Sequence, residues 1–375
     1  MISGNYYRNN MIYEKILRPI LFLIDPEQIH KLVIKGLGIA SHILPLRFVL
    51  HKLLFVTDSV LKTKIGQINL DNPVGLAAGF DKYIEAPQAY PMIGFGFAEL
   101  GSITQKEQTG NPRPRMWRIP DDHGLIIYYG LSNGGLDKTE NRLKKIKEHC
   151  IPYGLSIAPT TGLDITQMAD DYVATFLRLY NYVDYITLNV SCPNVASCEK
   201  FAQVSFIKEL VEKIRRVCDD KKITKDIFIK IGSELTKEQL DEVVDVCVIN
   251  KLTGIIATNL IKDRNAIQPK STSEKLNHPG GISGGLLKEK SNAVIRHIYR
   301  RAGDKLKIIG VGGIFTAEDV YEKIKCGASA VQMITGWIYG GPFVIGKINR
   351  ELVKLLERDG YKNIGEAVGK GNRTV

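Results

Sequence analysis

The chain lacks any run of about 18 uninterrupted apolar residues, so no stretch has the length of a membrane span. No charged n-region, apolar h-region and small-residue cleavage site open it, so no secretory leader is expected and the protein should be soluble or lie on a membrane surface. Its six cysteines, Cys150, Cys192, Cys198, Cys218, Cys247 and Cys326, form no CxxC pair and no zinc-finger spacing. That suggests neither a disulfide framework nor a structural metal site, and makes a reducing compartment the expectation. No GxGxxG follows the first strand candidate, which disfavours a dinucleotide-binding open sheet. A concentrated basic patch is also missing: the net charge of +11 is spread along the chain, with only short runs such as Lys144-Lys145 and Lys221-Lys222. Nucleic acid is therefore not the expected partner, and a solvated basic surface or an anionic membrane is.

What is present is 375 residues with 44% hydrophobic content, enough for two ordinary domains or one large α/β barrel with an extension. Residues 11–56 read as helices set apart from the rest. Asp25 before Pro26 is an N-cap with proline at the first helical position, and Ile29, Leu32, Val33 and Leu37 then share one face. Leu44, Phe48, Val49, Leu53 and Leu54 repeat the amphipathic pattern beside Arg47, His51 and Lys52. Such a pair fits a helical cap on a core, an interfacial anchor, or an apolar mouth for a lipid-like substrate.

From about residue 64 short apolar runs alternate with helical spacing. Strands are expected at residues 74–78, 98–103, 154–158, 185–190, 227–231, 254–258, 308–311 and 330–334. Eight near-continuous apolar strands alternating with helices predict a parallel (β/α)8 TIM barrel carrying an N-terminal helical extension, divided near residue 60. The longest loop-like segment, residues 261–279, holds turn formers and charge and reads as a candidate lid.

A barrel carries its site at the C-terminal strand ends, with phosphate bound by loops after strands seven and eight. Here those loops read Gly310-Val-Gly-Gly-Ile314 and Thr335-Gly336, where glycine lets backbone N–H groups approach phosphate oxygens and Thr335 adds a hydroxyl. Lys230 ends the apolar run Ile227-Phe-Ile-Lys-Ile231, and a lysine there is costly to bury unless an anion meets it. Lys82, after the first strand, reads equally as a surface lysine. Asn189-Val-Ser-Cys-Pro-Asn194 ends the fourth strand and places a thiol between two amides. Cys192 is either an acid–base group, since thiol pKa values are readily lowered, or a small buried hydrophobe.

Ala77-Ala-Gly-Phe-Asp-Lys82, Gly110-Asn-Pro-Arg-Pro-Arg115, Asn189-Val-Ser-Cys-Pro-Asn194, Ile256-Ala-Thr-Asn259, Gly280-Gly-Ile-Ser-Gly284 and Gly310-Val-Gly-Gly-Ile314 occur in this order. In this the chain resembles the dihydroorotate dehydrogenases from Asp25 onward. The extension with Leu23-Ile-Asp-Pro-Glu-Gln-Ile-His30 is similar to the membrane-associated, quinone-reducing class. The resemblance implies an FMN barrel that oxidises a dihydropyrimidine in pyrimidine biosynthesis and passes electrons to quinone. By position it implies that Ala77, Ala78, Gly79, Ser102, Asn189, Lys230, Thr258, Ser283, Gly284, Gly312, Gly313, Thr335 and Gly336 hold FMN. Lys82, Asn189, Asn194 and Asn259 would face the substrate, Cys192 would be the base, and His30 and Arg118 would flank the quinone entrance. No metal is implied. Peripheral attachment at the cytoplasmic face of a bacterial inner membrane is the expected location, with a mitochondrial inner membrane as the alternative.

The chain departs from the family pattern at several places. The membrane-associated class normally has serine at Cys192, and the family's Asn-Arg-x-Gly-Phe-Asn-Asn loop reads Ile127-Tyr-Tyr-Gly-Leu-Ser-Asn133. Leu260 follows Asn259 in place of threonine, Ser156 replaces an asparagine that contacts FMN, and Ile334 stands where a tyrosine borders the quinone channel. Two alternatives follow: a paralogous FMN oxidoreductase for a more apolar cyclic substrate, and a non-redox phosphate-binding barrel or flavin binder without turnover.

Overall fold

The computed structural model describes residues 12–191 and 203–372. A π-helical turn (Tyr13–Leu17) runs into α1 (Arg18–Leu23), followed by α2 (Pro26–His42) and α3 (Leu44–Leu54). The Asp25 side chain accepts a hydrogen bond from the Gln28 N–H at 2.9 Å, satisfying an orphan donor of α2 as the sequence predicts. A hairpin, β1 (Thr63–Ile65) and β2 (Ile68–Leu70), leads to the barrel strands β3 (Val74–Leu76) and β4 (Phe97–Ile103). After β4 the chain inserts β5 (Met116–Ile119), β6 (Gly124–Ile127) and α4 (Gly135–Leu143). Then strands and helices alternate: β7 (Tyr153–Ile157), α5 (Ile165–Leu179), β8 (Tyr185–Asn189), α6 (Val204–Asp220), β9 (Asp226–Ile231), α7 (Lys237–Ile249) and β10 (Gly254–Ala257). A second insertion carries α8 (Ser273–Leu276) and β11 (Gly281–Gly284); α9 (Lys288–Ala302), β12 (Lys307–Val311), α10 (Ala317–Cys326), β13 (Ala330–Met333), α11 (Thr335–Gly340) and α12 (Val344–Arg358) complete the fold.

Strands β3, β4, β7, β8, β9, β10, β12 and β13 pair in parallel and close into one barrel, β13 bonding back to β3. All eight sequence-predicted strands coincide with these, within a residue or two at their ends. They are legible because parallel strands covered by helices are buried on both faces; β7, β8, β10 and β13 have no exposed residue. Among the covering helices, α6 buries Phe206, Ile207, Leu210, Val211 and Ile214 as its spacing predicts.

The N-terminal end of the barrel is plugged by Phe97, Tyr185 and Phe228 packed on Ile65 and Leu70 of the hairpin. Strand β7 yields space to this layer, since a Cβ at Gly154 would lie 2.1 Å from the Tyr185 ring. One layer higher, the fully buried Glu99 accepts hydrogen bonds from Thr187 Oγ1 at 3.1 Å and Gln332 Nε2 at 2.9 Å.

At the opposite end the two insertions meet. β11 pairs with β6, and β6 with β5, in a three-stranded antiparallel sheet that sequence patterning did not reveal. The candidate lid beside it is pinned down. Arg264 donates to the carbonyls of Ile261, Leu276, His278 and Gly280, and Asp122 accepts the N–H groups of Lys270 and Ser271.

The extension lies against this end of the barrel. Helix α2 turns Glu27, Ile34 and Ser41 inward at heptad spacing, whereas Leu32 and Val33 from the predicted apolar face are exposed. Glu27 is 5% exposed and receives Arg115 Nε at 3.1 Å and Nη2 at 3.0 Å, with Arg113 at 2.8 Å. Burial pushes the Glu27 carboxyl up, but the Arg115 hydrogen bond and the Arg113 and Lys31 charges outweigh it and hold the group below its ordinary value. Replacing one partner of a buried pair strands the other. Glu27→Ala is therefore expected to lower unfolding free energy by ~3 kcal/mol in urea titrations, with Glu27→Gln costing less.

Candidate active site

The C-terminal mouth of the barrel holds a cavity of ≈ 1250 Å³, its open part included. Each barrel strand except the third contributes to it from its end. The first supplies Ala77, Ala78, Gly79 and Lys82, the second Ser102, the fourth Asn189, the fifth Lys230, and the sixth Thr258 and Asn259. Ser283 and Gly284 arrive on β11, Gly312 and Gly313 follow the seventh strand, and Thr335 and Gly336 follow the eighth. His30 reaches in from α2. Thus every sequence-predicted site residue among the described residues lines one cavity, except Arg118; Cys192 and Asn194 lie outside the described residues.

One wall is a continuous polar chain. Ser156 and Ser102 hydroxyls are 2.7 Å apart, and Asn189 Nδ2 donates to Ser102 Oγ at 2.9 Å. The Ser191 N–H reaches Asn189 Oδ1 at 3.3 Å, and Asn259 Nδ2 donates to the Ser191 carbonyl at 2.9 Å. Both amides are thereby oriented before any ligand arrives. Ser156, read from sequence as a departure, is buried within this chain.

The opposite end is built for an anion. Gly313 has φ +68°, and a Cβ there would lie 2.4 Å from Lys288 Cβ, so only glycine permits this turn. Among the described residues neither the Gly312 nor the Gly313 N–H has a hydrogen-bond acceptor. Ser283 and Thr335 place hydroxyls 2.8 Å from each other nearby. Between the two ends Lys230 is 5% exposed, and the buried Thr258 hydroxyl has no protein partner. A Cβ at Gly79 would meet nothing within 4 Å, which leaves room for a flat body against the backbone. Orphaned donors at one end, a buried cation in the middle and an amide wall suit a planar, amide-rich ring with a phosphate tail.

The third side is apolar and closed by the extension. His30 stacks on Phe80 at 4.7 Å between ring centroids, and its Nε2 donates to the Phe80 carbonyl at 2.8 Å. Burial and then the Lys82 charge push the His30 pKa down to about 3, so the ring is neutral at pH 7. Lys82 is no free surface lysine: its Nζ bonds the Gly79 carbonyl and sits 3.9 Å from the Tyr129 ring centroid. Arg115 lies 4.5 Å from the same ring centroid. Arg118 stands aside and closes the end of α1, donating to the carbonyls of Phe22 at 3.0 Å and Ile24 at 2.7 Å. Ile127, Leu260 and Ile334, the departures from the family pattern, all line the cavity. Phe80, Tyr129 and Gln332 line it too and were not singled out from sequence. Only the neighbourhood of Tyr129 in the quoted loop pointed toward it.

Fold and site together define a (β/α)8 barrel of the enzyme kind, with its cavity at the C-terminal mouth. A family model described as dihydroorotate dehydrogenase matches residues 60–356. The dihydroorotate dehydrogenase (quinone) of Gloeobacter violaceus is 38% identical, covering 95% of this chain and 98% of its own. That of Nocardia farcinica is 36% identical, covering 96% and 98%. The crystal structure of DHODH from Eimeria tenella in complex with ferulenol superposes with a TM-score of 0.82 at 31% identity, covering 93% of this chain and 96% of that one. The chain belongs to the dihydroorotate dehydrogenase family.

The neutral His30 carries a pH signature. A histidine whose pKa falls on folding gives stability that is present above its unfolded value near 6.5 and is lost as pH falls toward its folded value of about 3. Thermal melting of the wild type should therefore drop more between pH 6.5 and pH 4 than that of His30→Gln; equal slopes would reject the assignment.

Proposed function

We propose that this protein oxidises dihydroorotate to orotate on bound FMN, in pyrimidine biosynthesis, and delivers the electrons to a quinone. The observation that carries the reading is the convergence of Lys230, Thr258, the Gly312-Gly313 turn and the Asn189–Asn259 wall in one cavity of a family member. The residues present fit FMN: the orphaned N–H groups and the Ser283 and Thr335 hydroxyls suit its phosphate, and the buried Lys230 suits the pyrimidine edge of its ring. Ala77, Ala78, Gly79, Ser102, Gly284 and Gly336 shape the remaining contacts. When bound, FMN supplies a hydride acceptor that can pass electrons onward.

The side chains do the rest. Asn189, Asn194 and Asn259 orient the substrate amides, Lys82 meets its carboxylate, and Cys192 as thiolate removes the proton. The cation of Lys230 stabilises negative charge that arrives with hydride, and the aliphatic wall excludes water. In anaerobic mixing the flavin absorbance should bleach rapidly with L-dihydroorotate. A flavin that bleaches only with chemical reductant would transfer the reading to another substrate, and colourless protein would remove flavin chemistry. Cys192→Ala is expected to retain flavin while losing its reduction by substrate by a factor of about 10² or more, and unchanged reduction would refute the base.

A second reading is favoured by Ile127 and Leu260, which line the cavity where the family pattern has polar residues. Under it the substrate is a related, more apolar ring, since a missing polar contact leaves a substrate group unpaired. Complementation of a pyrimidine-requiring host separates the two.

Residues up to about 60 form the membrane- and quinone-facing part of this proposal, with His30 and Arg118 at the entrance, and residues 61–375 form the FMN barrel. Every exposed large apolar side chain among the described residues except Ile249 lies between residues 12 and 53, including Leu23 at 87% and Phe48 at 69%. A patch of that density, beside Lys35 and Lys52, suits peripheral contact with an anionic bilayer, and a bacterial inner membrane is the proposed surface. No single helix among the described residues is long and apolar enough to cross it.

A further inference from the structure

Lys323 on α10 is a fully buried cation that neither the cavity nor the proposed chemistry uses. Its stem lies beneath the phosphate-end turn, since a Cβ at Gly310 would sit 3.2 Å from Lys323 Cδ. Its Nζ donates to Ser291 Oγ at 3.0 Å and Asn292 Oδ1 at 2.7 Å, both on α9. Neither partner is charged, and the neighbouring Asp319 and Glu322 are engaged by Lys288 at 2.8 Å and 3.0 Å. An ammonium buried against neutral acceptors is destabilising by itself, and burial pushes the Lys323 pKa down to about 7. An anion near the loop above it would offset that burden.

The contact continues upward. Ser291 Oγ donates to the Val311 carbonyl at 2.7 Å, and the Thr258 N–H donates to the same oxygen at 3.1 Å. The peptide between Val311 and Gly312 is trans, so the Gly312 N–H points opposite that clamped carbonyl. Gly312 and Gly313 line the cavity.

We propose that Lys323 is a positioning residue for the phosphate end of the site: through Ser291 it clamps the Val311 carbonyl, aims the Gly312 N–H at a phosphate monoester, and adds positive charge from below. The inference rests on the FMN reading of the cavity. It differs from a packing role in one respect, because a packing defect weakens every flavin alike while a misaimed phosphate turn weakens only the phosphorylated one.

Riboflavin carries the same ring without the phosphate. The holoenzyme is stripped of flavin and retitrated with FMN and with riboflavin, following the fluorescence of the free flavin, for the wild type, Lys323→Met and Ser291→Ala. The wild type is expected to prefer FMN. Lys323→Met should lose about tenfold or more of that preference, equivalent to ~1.4 kcal/mol, with riboflavin binding little changed. Ser291→Ala should move the same way and decides the matter if the lysine variant does not fold. Equal weakening of both flavins, or an unchanged preference with a lower melting temperature, would overturn the role of Lys323 alone. A wild type without preference for FMN would overturn the FMN reading together with it.

Discussion

Arg115 meets Glu27 through two hydrogen bonds of 3.0 and 3.1 Å, and the arrangement of the mouth hangs on that contact. The same guanidinium donates to the carbonyls of Thr109 and Asn111, so it fixes the course of the first insertion as well as the seat of α2. Three residues beyond Glu27, on the same side of the helix, His30 enters the cavity and stacks on Phe80. Tyr129 packs under Arg115 and carries Lys82 on its ring. Extension, insertion and cavity wall are thus joined through one desolvated charge pair. Arg118, further along β5, adds a second tie by capping α1. Part of the basic excess of the chain therefore serves joints between elements instead of a surface field.

The barrel interior is zoned along its axis. Aromatic rings fill the N-terminal end, a carboxylate–amide pair occupies the middle, and amides, hydroxyls and a lysine crowd the C-terminal end. A closed parallel barrel offers no water inside, so each polar group there must find a partner within the protein or in a ligand. In the middle, Glu99 Oε2 and Gln332 Nε2 are paired while Glu99 Oε1 and Gln332 Oε1 are left without a partner among the described residues. The unsatisfied Thr258 hydroxyl and the glycine N–H groups gather at the top, where a ligand can complete them.

How much of this was legible in the sequence follows from the same physics. Strands buried on both faces write themselves as continuous apolar runs, and all eight could be read. Lys230 stood out because a lysine in such a run is exceptional, and the glycine turns because they fell where a barrel binds phosphate. The sheet of β5, β6 and β11 was hidden: its strands have four residues each, β11 holds two glycines, and their pairing joins distant segments. Glu27 was not singled out, since an acidic residue in a first helical turn is ordinary and nothing local names its partner. Lys323 sits in Glu322-Lys-Ile-Lys325, which reads as a solvated face, and only packing decides which lysine turns inward. The Ser102–Asn189–Ser191–Asn259 chain was invisible for a like reason, being drawn from three different strand ends.

The sheet across the mouth also sets an order of events. Strands β5 and β6 emerge early in synthesis, but β6 cannot complete its pairing until β11 has been made, some 150 residues later. At about 5–20 residues per second, that interval is many seconds of nascent-chain lifetime. During it the inner face of the hairpin, with Ile119 and Ile126, is without Ile261, Ile282 and Leu287, which cover it in the finished protein. Long-range pairing of this kind slows folding, because chain entropy is lost before the contact is gained. The mouth therefore needs shielding from other chains during that interval, and ligand uptake there would report that its sheet is complete.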